Sequence, residues 1–283
     1  MSAEIILPLA DTHIGSKLGL LPPDLEHFKQ NKWQRYTWKC WEHMLSLLPE
    51  HLAAVIFMDE MMDGPEGRNH KYGTLITDPG EQREVTVEVL RPIAERADEK
   101  WVLIGSDWHI GEWGKETKNL AKDLGAEIWT TGSKKFPDRA GYNLLWMKGG
   151  VVLDFAHSRS VVEVNKSMPL EREMRYRLID NPLPKRLRGK AIVQCIVRAH
   201  AHDCGAWFDR HGWSIGVPCW QGMYFNYGTG KRTLARIWKD IGWLTIGVDP
   251  SARHPVWLDD YELYDYPKLD VWNREEKRWI SHK

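Results

Sequence analysis

The sequence has no net charge, no long apolar run and no paired cysteines, and each absence excludes a class of protein. Its 39 lysines and arginines balance 39 aspartates and glutamates, so no overall charge attracts the chain to nucleic acid or to a membrane surface. No apolar run approaches the ~18 residues that a membrane span needs, and the N-terminus lacks the basic start and apolar run of a signal peptide. These absences predict a cytoplasmic protein with no membrane partner.

The cysteines are few and scattered, which disfavours a structural zinc site. Cys40, Cys195, Cys204 and Cys219 form no CxxC pair, so we expect four reduced thiols. Linkers, repeats and low-complexity segments are also lacking, which predicts a single domain over 1–283 with a β-rich portion from about residue 203. Tryptophan, in contrast, is abundant at sixteen residues, and most of these should lie in the core or line a cleft.

Buried strands alternate with amphipathic helical patterns in the first half of the chain. Strands are predicted at 5–10, 55–58 and 101–104, and helices at about 28–48, 81–97 and 115–124. This alternation predicts an α/β fold with parallel strands. Later in the chain the patterns predict a hairpin around Lys148-Gly149-Gly150, a helix at about 160–178, a strand at 191–197, and a second sheet built from 203 onward.

An acidic cluster follows the apolar strand at 55–58. Asp59, Glu60 and Asp63 place three carboxylates within five residues, where they repel one another unless a positive group neutralises them. Ligands of open α/β sheets sit at the carboxyl ends of strands, so the cluster predicts a metal centre. A solvated acidic loop after a core strand is the alternative. Alternation along the strand predicts that Asp59 points to the face opposite Glu60.

Four further strand ends carry residues that can bind metals. Asp11-Thr12-His13 puts a carboxylate and an imidazole on one face of an extended chain, because side chains two apart share a face; a capped turn is the alternative. The other three segments are Gly105-Ser106-Asp107-Trp108-His109, Ala156-His157-Ser158 and Ala199-His200-Ala201-His202. Five such strand ends in this order indicate one shared site.

The five motifs resemble the signature of the calcineurin-like metallophosphoesterases, which reads DxH, GDxxD, GNHD or GNHE, a lone His, and GHxH. The resemblance spans roughly residues 5–225 and is strongest to a divergent, phage-type branch. It implies a four-layer α/β/β/α sandwich with two divalent metals at the strand ends. It also implies a metal-dependent phosphoric ester hydrolase.

Ligand roles carry over from this resemblance position by position. The implied ligands are Asp11, His13 and His202 for the first metal, His157 and His200 for the second, Glu60 as the bridge, and Ser106 at the Asn position. Three departures concern the second site: Asp59 replaces a glycine, Ser106 is a poorer donor than Asn, and His109 is displaced by two positions. That site is therefore weak, absent, or built from Asp107 and His109. Mixed imidazole and carboxylate ligands suit manganese first, with iron, zinc or nickel as alternatives.

The implied reaction is hydrolysis of a phosphate ester, in which the metals polarise phosphoryl oxygens and lower the pKa of a water nucleophile. Asp107 and His109 are the candidate catalytic residues, with His109 as general acid; a plain helix-start residue is its alternative role. A phosphodiester in nucleic acid is the first substrate hypothesis, because of the basic run 185–190 and tryptophans that can stack on bases. A small-molecule or phosphoprotein substrate, or a non-catalytic metal-binding protein that retains the fold, are the alternatives.

Overall fold

A computed structural model describes residues 3–64, 73–104, 114–128, 143–157, 193–209, 212–222, 239–265, 270–273 and 278–281. These form, in chain order, β1 (Glu4–Leu9), α1 (Lys32–Leu47), β2 (Leu52–Phe57), α2 (Pro79–Ala94), β3 (Ala97–Val102), α3 (Lys115–Leu124), β4 (Glu127–Ile128), β5 (Asn143–Lys148), β6 (Val151–Ala156), β7 (Val193–Arg198), β8 (Gly205–Asp209), β9 (Gly212–Gly216), β10 (Ile241–Val248), β11 (Val256–Tyr264), β12 (Asp270–Asn273) and β13 (Arg278–Ser281).

The first sheet has the strand order β11-β10-β1-β2-β3-β4, in which β1 to β4 run parallel. Every residue of β2 is buried, as its uninterrupted apolar sequence predicts for a strand covered on both faces. The helices that follow β1 and β2 begin at side-chain caps. Asn31 and Gln34 form a capping box at α1, and Asp78 caps α2 just before Pro79. The predicted parallel α/β arrangement is therefore confirmed.

The second sheet has the order β5-β6-β7-β9-β8. A two-residue turn joins β5 to β6, and both of its residues, Gly149 and Gly150, have positive φ values of 54° and 91°. This is the backbone that a tight hairpin turn requires, and glycine adopts it without steric cost. The hairpin predicted around these glycines is confirmed.

The described layers run helix, sheet, sheet. One apolar cluster packs α1, α2 and α3 against the first sheet, with Trp41, Val55 and Leu90 among its members. A second cluster lies between the two sheets and joins Ile56 of β2 to residues such as Phe155 of β6. The α/β fold class is confirmed, and the two sheets place the ends of β1, β2, β6 and β7 beside each other. The helix predicted at 160–178 and the basic run 185–190 lie outside the described residues.

Several predicted boundaries were wrong. Helix α1 begins at Lys32 rather than near 28, because the Asn31 cap ends the preceding loop, and β3 already begins at Ala97, which was predicted to be helical. The strands after 203 also divide between the sheets. Among the described strands, β8 and β9 join the second sheet, β10 and β11 join the first through the pairing of β10 with β1, and β12 pairs with β13. All eight residues of β10 are buried, which suits a strand between two neighbours.

Two predictions about composition can be compared with the described residues. All four cysteines are free, as predicted, and Cys40, Cys195 and Cys219 are buried. Among the helices that the structure describes, each falls short of the length or the apolar character that a membrane crossing requires.

Candidate metal centre

Left-handed backbone marks the predicted motifs. Within the described ranges, each non-glycine residue with positive φ belongs to one of them, and the values are 55° at Asp11, 45° at His13, 79° at Asp59, 55° at Glu60, 68° at His200 and 57° at His202. Such conformations cost roughly 1–3 kcal/mol each and are concentrated at functional sites. Strand β1 ends at Leu9 and β2 at Phe57, so these side chains lie beyond the pleated strands. The face-alternation rule used above for Asp11, His13 and Asp59 therefore does not apply.

Backbone hydrogen bonds join the loop after β1 to the loop after β2. The amide of His13 donates to the Glu60 carbonyl at 2.9 Å, and the amide of Asp63 donates to the Ile14 carbonyl at 2.8 Å. Glycine is needed at position 19, because an ideal Cβ there would lie 1.9 Å from the His13 carbonyl oxygen. The two loops therefore hold each other in place and fix the direction of their acidic and imidazole side chains.

The first group of side chains consists of Asp11, His13, Glu60 and His202, whose ligand-type atoms all lie within 4.8 Å of one another. Nε2 of His202 is 3.1 Å from Oδ1 of Asp11, and Nε2 of His13 is 3.2 Å from Oε2 of Glu60. All four side chains are buried. The group therefore combines two carboxylates and two imidazoles in a space from which water is largely excluded.

The second group consists of Glu60, His157 and His200. Oε1 of Glu60 is 3.2 Å from Nε2 of His157 and 3.5 Å from Nδ1 of His200. These two ring nitrogens are 3.1 Å apart. Glu60 thus belongs to both groups and turns a different carboxylate oxygen toward each. His200 is 47% exposed, in contrast to the buried members of both groups, so the second group is the one open to solvent.

A backbone carbonyl sets the tautomer of His157. Its Nδ1 lies 2.7 Å from the Met58 carbonyl oxygen, which can only accept, so Nδ1 carries the proton that is donated. The lone pair of Nε2 in the neutral ring then faces Glu60 and His200. A histidine that uses one ring nitrogen to donate to a carbonyl is oriented to bind a metal through the other.

The groups perturb one another's protonation. Burial would raise the pKa of Asp11 and of Glu60, but the surrounding histidines outweigh it and hold both pKa values far below the ordinary range. Burial would lower the pKa of His157, but the Glu60 carboxylate raises it to about 9. The pKa of His13 is likewise raised, against its burial, by the carboxylates around it. Positive charge is therefore favoured between these carboxylates.

His202 behaves differently from the other two buried histidines. Burial lowers its pKa to about 4, and although Asp11 acts in the opposite direction, the charge of Lys239 adds to the lowering. The Lys239 ammonium donates to Oε1 of Gln221 at 2.7 Å, and nothing in the sequence patterns had indicated that this lysine lies near the site. A neutral His202 can bind a cation without first losing the second proton of an imidazolium ring.

The side chains fit a divalent cation. Oδ1 of Asp11 is buried, yet it accepts no hydrogen bond within the described part of the chain, although His202 Nε2 faces it at 3.1 Å. A buried carboxylate oxygen of this kind is costly unless a cation or a donor satisfies it. Imidazole nitrogens mixed with carboxylate oxygens suit manganese, iron, zinc or nickel better than calcium.

Six of the predicted ligands converge on this site: Asp11, His13, Glu60, His157, His200 and His202. Ser106, Asp107 and His109 lie outside the described residues, so their predicted roles stay predictions. Asp59 is buried but is a member of neither group. Asp63, for which the sequence indicated no separate role, has its Oδ1 3.4 Å from Nδ1 of His13. Its place in the DxxD spacing was the only signal for that contact.

Two packed sheets with parallel strands whose ends bring the DxH, DExxD, lone-His and HxH motifs together agree with the resemblance stated above. This arrangement of motifs at the strand ends is the one that the resemblance to the calcineurin-like metallophosphoesterases implies.

Comparisons with known proteins find distant structural similarity. No family model and no curated protein matches the chain. Among solved structures, Vps29 from Chaetomium thermophilum is 10% identical, with 94% of this chain and 100% of that chain covered and a TM-score of 0.42. Vps29 from Entamoeba histolytica complexed with Zn²⁺ is 10% identical, with 92% and 99% covered and a TM-score of 0.40. An uncharacterized protein from Streptococcus pneumoniae TIGR4, described as a predicted phosphoesterase, is 9% identical, with 93% and 98% covered and a TM-score of 0.34. At these identities and scores, no activity is transferred from them.

Proposed function

We propose that this protein is a metal-dependent phosphoesterase with a dinuclear centre. Asp11, His13 and His202 would hold one metal, His157 and His200 the other, and Glu60 would bridge them. The observation that carries the proposal is the sharing of Glu60. Its Oε2 lies 3.2 Å from His13 Nε2 in one group, and its Oε1 lies 3.2 Å from His157 Nε2 in the other. A carboxylate shared in this way offsets charge on two neighbouring cations.

Manganese is the metal proposed first, with iron, zinc and nickel as alternatives for this donor set. When bound, two such ions would neutralise phosphoryl oxygens and lower the pKa of a water nucleophile. The protein's own contribution is to orient the ligands before a substrate arrives. The Met58 carbonyl fixes the ring of His157, burial keeps water away from the first group, and the exposure of His200 leaves the second group accessible to an ester.

A phosphodiester in nucleic acid is the substrate class that we propose to test first. The basic run 185–190 in the sequence supports it, since a phosphate backbone is contacted by lysine and arginine. The tryptophans support it less than their number suggests. Those at 33, 41, 146, 220 and 243 are buried in the core, whereas Trp207 on β8 is partly buried and is a candidate for stacking.

The shared carboxylate provides the sharpest test. Glu60→Gln keeps the shape of the side chain but removes the charge that two cations would share, so at least one of them should be lost. We expect elemental analysis to show fewer bound manganese ions, and kcat/KM on bis(p-nitrophenyl) phosphate to fall about 100-fold or more, because a metal's contribution is worth several kcal/mol. Asp59→Asn is the matched control, since Asp59 is an adjacent buried carboxylate outside both groups.

The possible outcomes distinguish between different bridging ligands, between a catalytic and a non-catalytic protein, and between substrate classes. Loss of metal in Asp59→Asn but not in Glu60→Gln would show that Asp59 is the bridging ligand. A wild-type protein that binds metal but cleaves neither bis(p-nitrophenyl) phosphate nor p-nitrophenyl phosphate would be a non-catalytic metal-binding protein. Cleavage of the monoester alone would favour a phosphatase. Degradation of a labelled single-stranded DNA, with salt-dependent binding, would support the nucleic-acid substrate.

A further inference from the structure

His13 has a carboxylate on each side of its ring. Nε2 faces the Glu60 carboxylate at 3.2 Å, on the side where the proposed first metal would lie. Nδ1 faces Oδ1 of Asp63 at 3.4 Å, on the opposite side. Both carboxylates are buried, as is the ring between them. Asp63 therefore contacts the proposed metal ligand through the nitrogen that does not face the other ligands.

Asp63 is itself held by a neighbour. The Thr74 hydroxyl donates to Oδ2 of Asp63 at 3.0 Å, which leaves Oδ1 directed at His13. Thr74 lies in a segment that is fixed to the loop after His13, because the Lys17 amide donates to the Gly73 carbonyl at 2.7 Å and the Leu75 amide donates to the Gly15 carbonyl at 2.6 Å. The main chain of Asp63 is also anchored, through its amide, to the carbonyl of Ile14.

We propose that Asp63, held by Thr74, is a positioning residue that fixes His13 as an Nε2 ligand of the first metal. This inference rests on the proposed function, because it assumes that the first group binds a cation. A carboxylate at Nδ1 keeps the proton on that nitrogen, turns the ring, and makes Nε2 a more basic ligand. Thr74 prevents the carboxylate from rotating away from the ring.

The two proposed metal sites are thus supported by different chemistry. His157 of the second group donates to a neutral acceptor, the Met58 carbonyl. His13 of the first group instead faces a charged group, the Asp63 carboxylate, whose Oδ1 lies 3.4 Å from Nδ1. Removal of the Asp63 charge should therefore weaken the first site selectively.

The test uses the full chain and manganese. Asp63→Ala removes both the charge and the acceptor, and we expect the Mn²⁺ dissociation constant of the tighter site to rise about 10- to 100-fold by calorimetric titration, as is typical when a partner of a ligating histidine is lost. Asp63→Asn keeps an oxygen that can accept from Nδ1, so it should lie between wild type and Asp63→Ala. Thr74→Val should weaken binding by less, about threefold to tenfold, since it removes one hydrogen bond but leaves the Asp63 charge in place, and Thr74→Ser should restore it.

Two further measurements separate positioning from a packing role. In a double-mutant cycle, Asp63→Ala should add almost nothing to the affinity loss caused by His13→Ala, because Asp63 acts through that ring. In the zinc-loaded protein, long-range ¹H–¹⁵N NMR spectra should show His13 with the proton on Nδ1 and protected from exchange with water, and in Asp63→Ala this proton should exchange faster. Asp78→Asn is the matched control: Asp78 caps α2 by accepting from the Glu81 amide, asparagine also caps helices, and metal affinity should not change.

Folding is checked by circular dichroism. If Asp63→Ala fails to fold, the metal affinities of Asp63→Asn and Thr74→Val, compared with wild type, test whether Asp63 positions His13. A folded Asp63→Ala variant with the wild-type dissociation constant, or an additive effect with His13→Ala, would overturn the positioning role. A wild-type protein that binds no manganese, iron, zinc or nickel would instead overturn the proposed function.

Discussion

The residues of the candidate centre adopt backbone conformations that most residues avoid. Asp11, His13, Glu60, His200 and His202 all have φ between 45° and 68°, where a side chain is strained. The strain persists because the loops are over-determined by hydrogen bonds between them, such as the one from the His13 amide to the Glu60 carbonyl. At the residue scale, the chain tolerates local strain in order to aim imidazoles and carboxylates at a common point.

Proton release on metal binding is the prediction at this scale. The pKa of His157 is raised to about 9, so below that pH the metal-free ring is protonated, and a metal must displace the proton. Apparent affinity should therefore rise with pH, by up to about tenfold per unit for each proton displaced, and level off above about pH 9. Calorimetry in buffers of different ionisation enthalpy should show at least one proton released per protein at pH 7.5.

The control for that experiment is an exposed histidine. His51 is 71% exposed and pairs only loosely with Asp98, at 3.4 Å, far from any described ligand group. His51→Ala should leave the proton release unchanged. A manganese affinity that does not change between pH 6.5 and 8.5 would contradict the prediction.

A fully buried ion pair fixes the two strands that precede the histidine motifs. Arg198, the last residue of β7, donates through Nη1 to the Asp154 carbonyl at 2.6 Å and through Nη2 to Oδ2 of Asp154, on β6, at 3.2 Å. Both side chains are at most 1% exposed. His157 follows Asp154 by three residues and His200 follows Arg198 by two. At the scale of elements, the pair therefore ties the register of β6 and β7 to the distance between these histidines.

Removal of one member of the Arg198–Asp154 ion pair should lower the stability of the fold. Arg198→Met leaves the Asp154 carboxylate buried without its cation, and we expect the free energy of unfolding in urea to fall by about 3–5 kcal/mol. The double variant Arg198→Met with Asp154→Leu should lose less, since no buried charge remains.

Lys148 and Glu4 provide the surface comparison for the buried pair. They are 3.3 Å apart, with Lys148 46% exposed, so Lys148→Met should change stability by less than about 1 kcal/mol. An Arg198→Met variant as stable as wild type would refute the role given to the buried pair.

The candidate centre joins the two sheets of the molecule. Asp11, His13 and Glu60 follow strands of the first sheet, whereas His157, His200 and His202 follow strands of the second. A cation held by both sets, as proposed, would link the sheets across the edge where their shared apolar core ends. Because the unfolded chain offers no such preformed site, metal binding should stabilise the whole fold.

Thermal unfolding measures this coupling between metal binding and folding. At a manganese concentration of about 100 times the dissociation constant, the expected gain is about 2.7 kcal/mol, which for a chain of this size is a rise in Tm of about 4–5 °C, reversed by a chelator. His202→Ala should abolish most of the rise, because it removes the proposed first-site ligand that the second sheet contributes. Calcium should have little effect, since it prefers oxygen ligands. An equal rise with calcium, or an unchanged rise in His202→Ala, would contradict the coupling.

The sequence by itself determined the alternation of strands and helices and the ligand-type residues that follow strands β1, β2, β6 and β7. Both are local patterns. The spacing of apolar residues predicts the helices and strands, and a change to Asp, Glu and His marks the ends of these four strands. The hairpin at Gly149 and Gly150 belongs to the same class, because two adjacent glycines specify the turn chemically.

The tertiary structure alone determined which distant strands pair and which distant side chains come into contact. It assigned β10 to the first sheet, because strand pairing depends on partners far away in the chain. It placed Glu60 in both ligand groups and Asp59 in neither, because left-handed turns replace the pleat where face alternation would apply. It also brought Thr74, Asp63 and His13 into one line of contacts. These choices depend on hydrogen bonds between loops that are distant in sequence, and no local pattern encodes them.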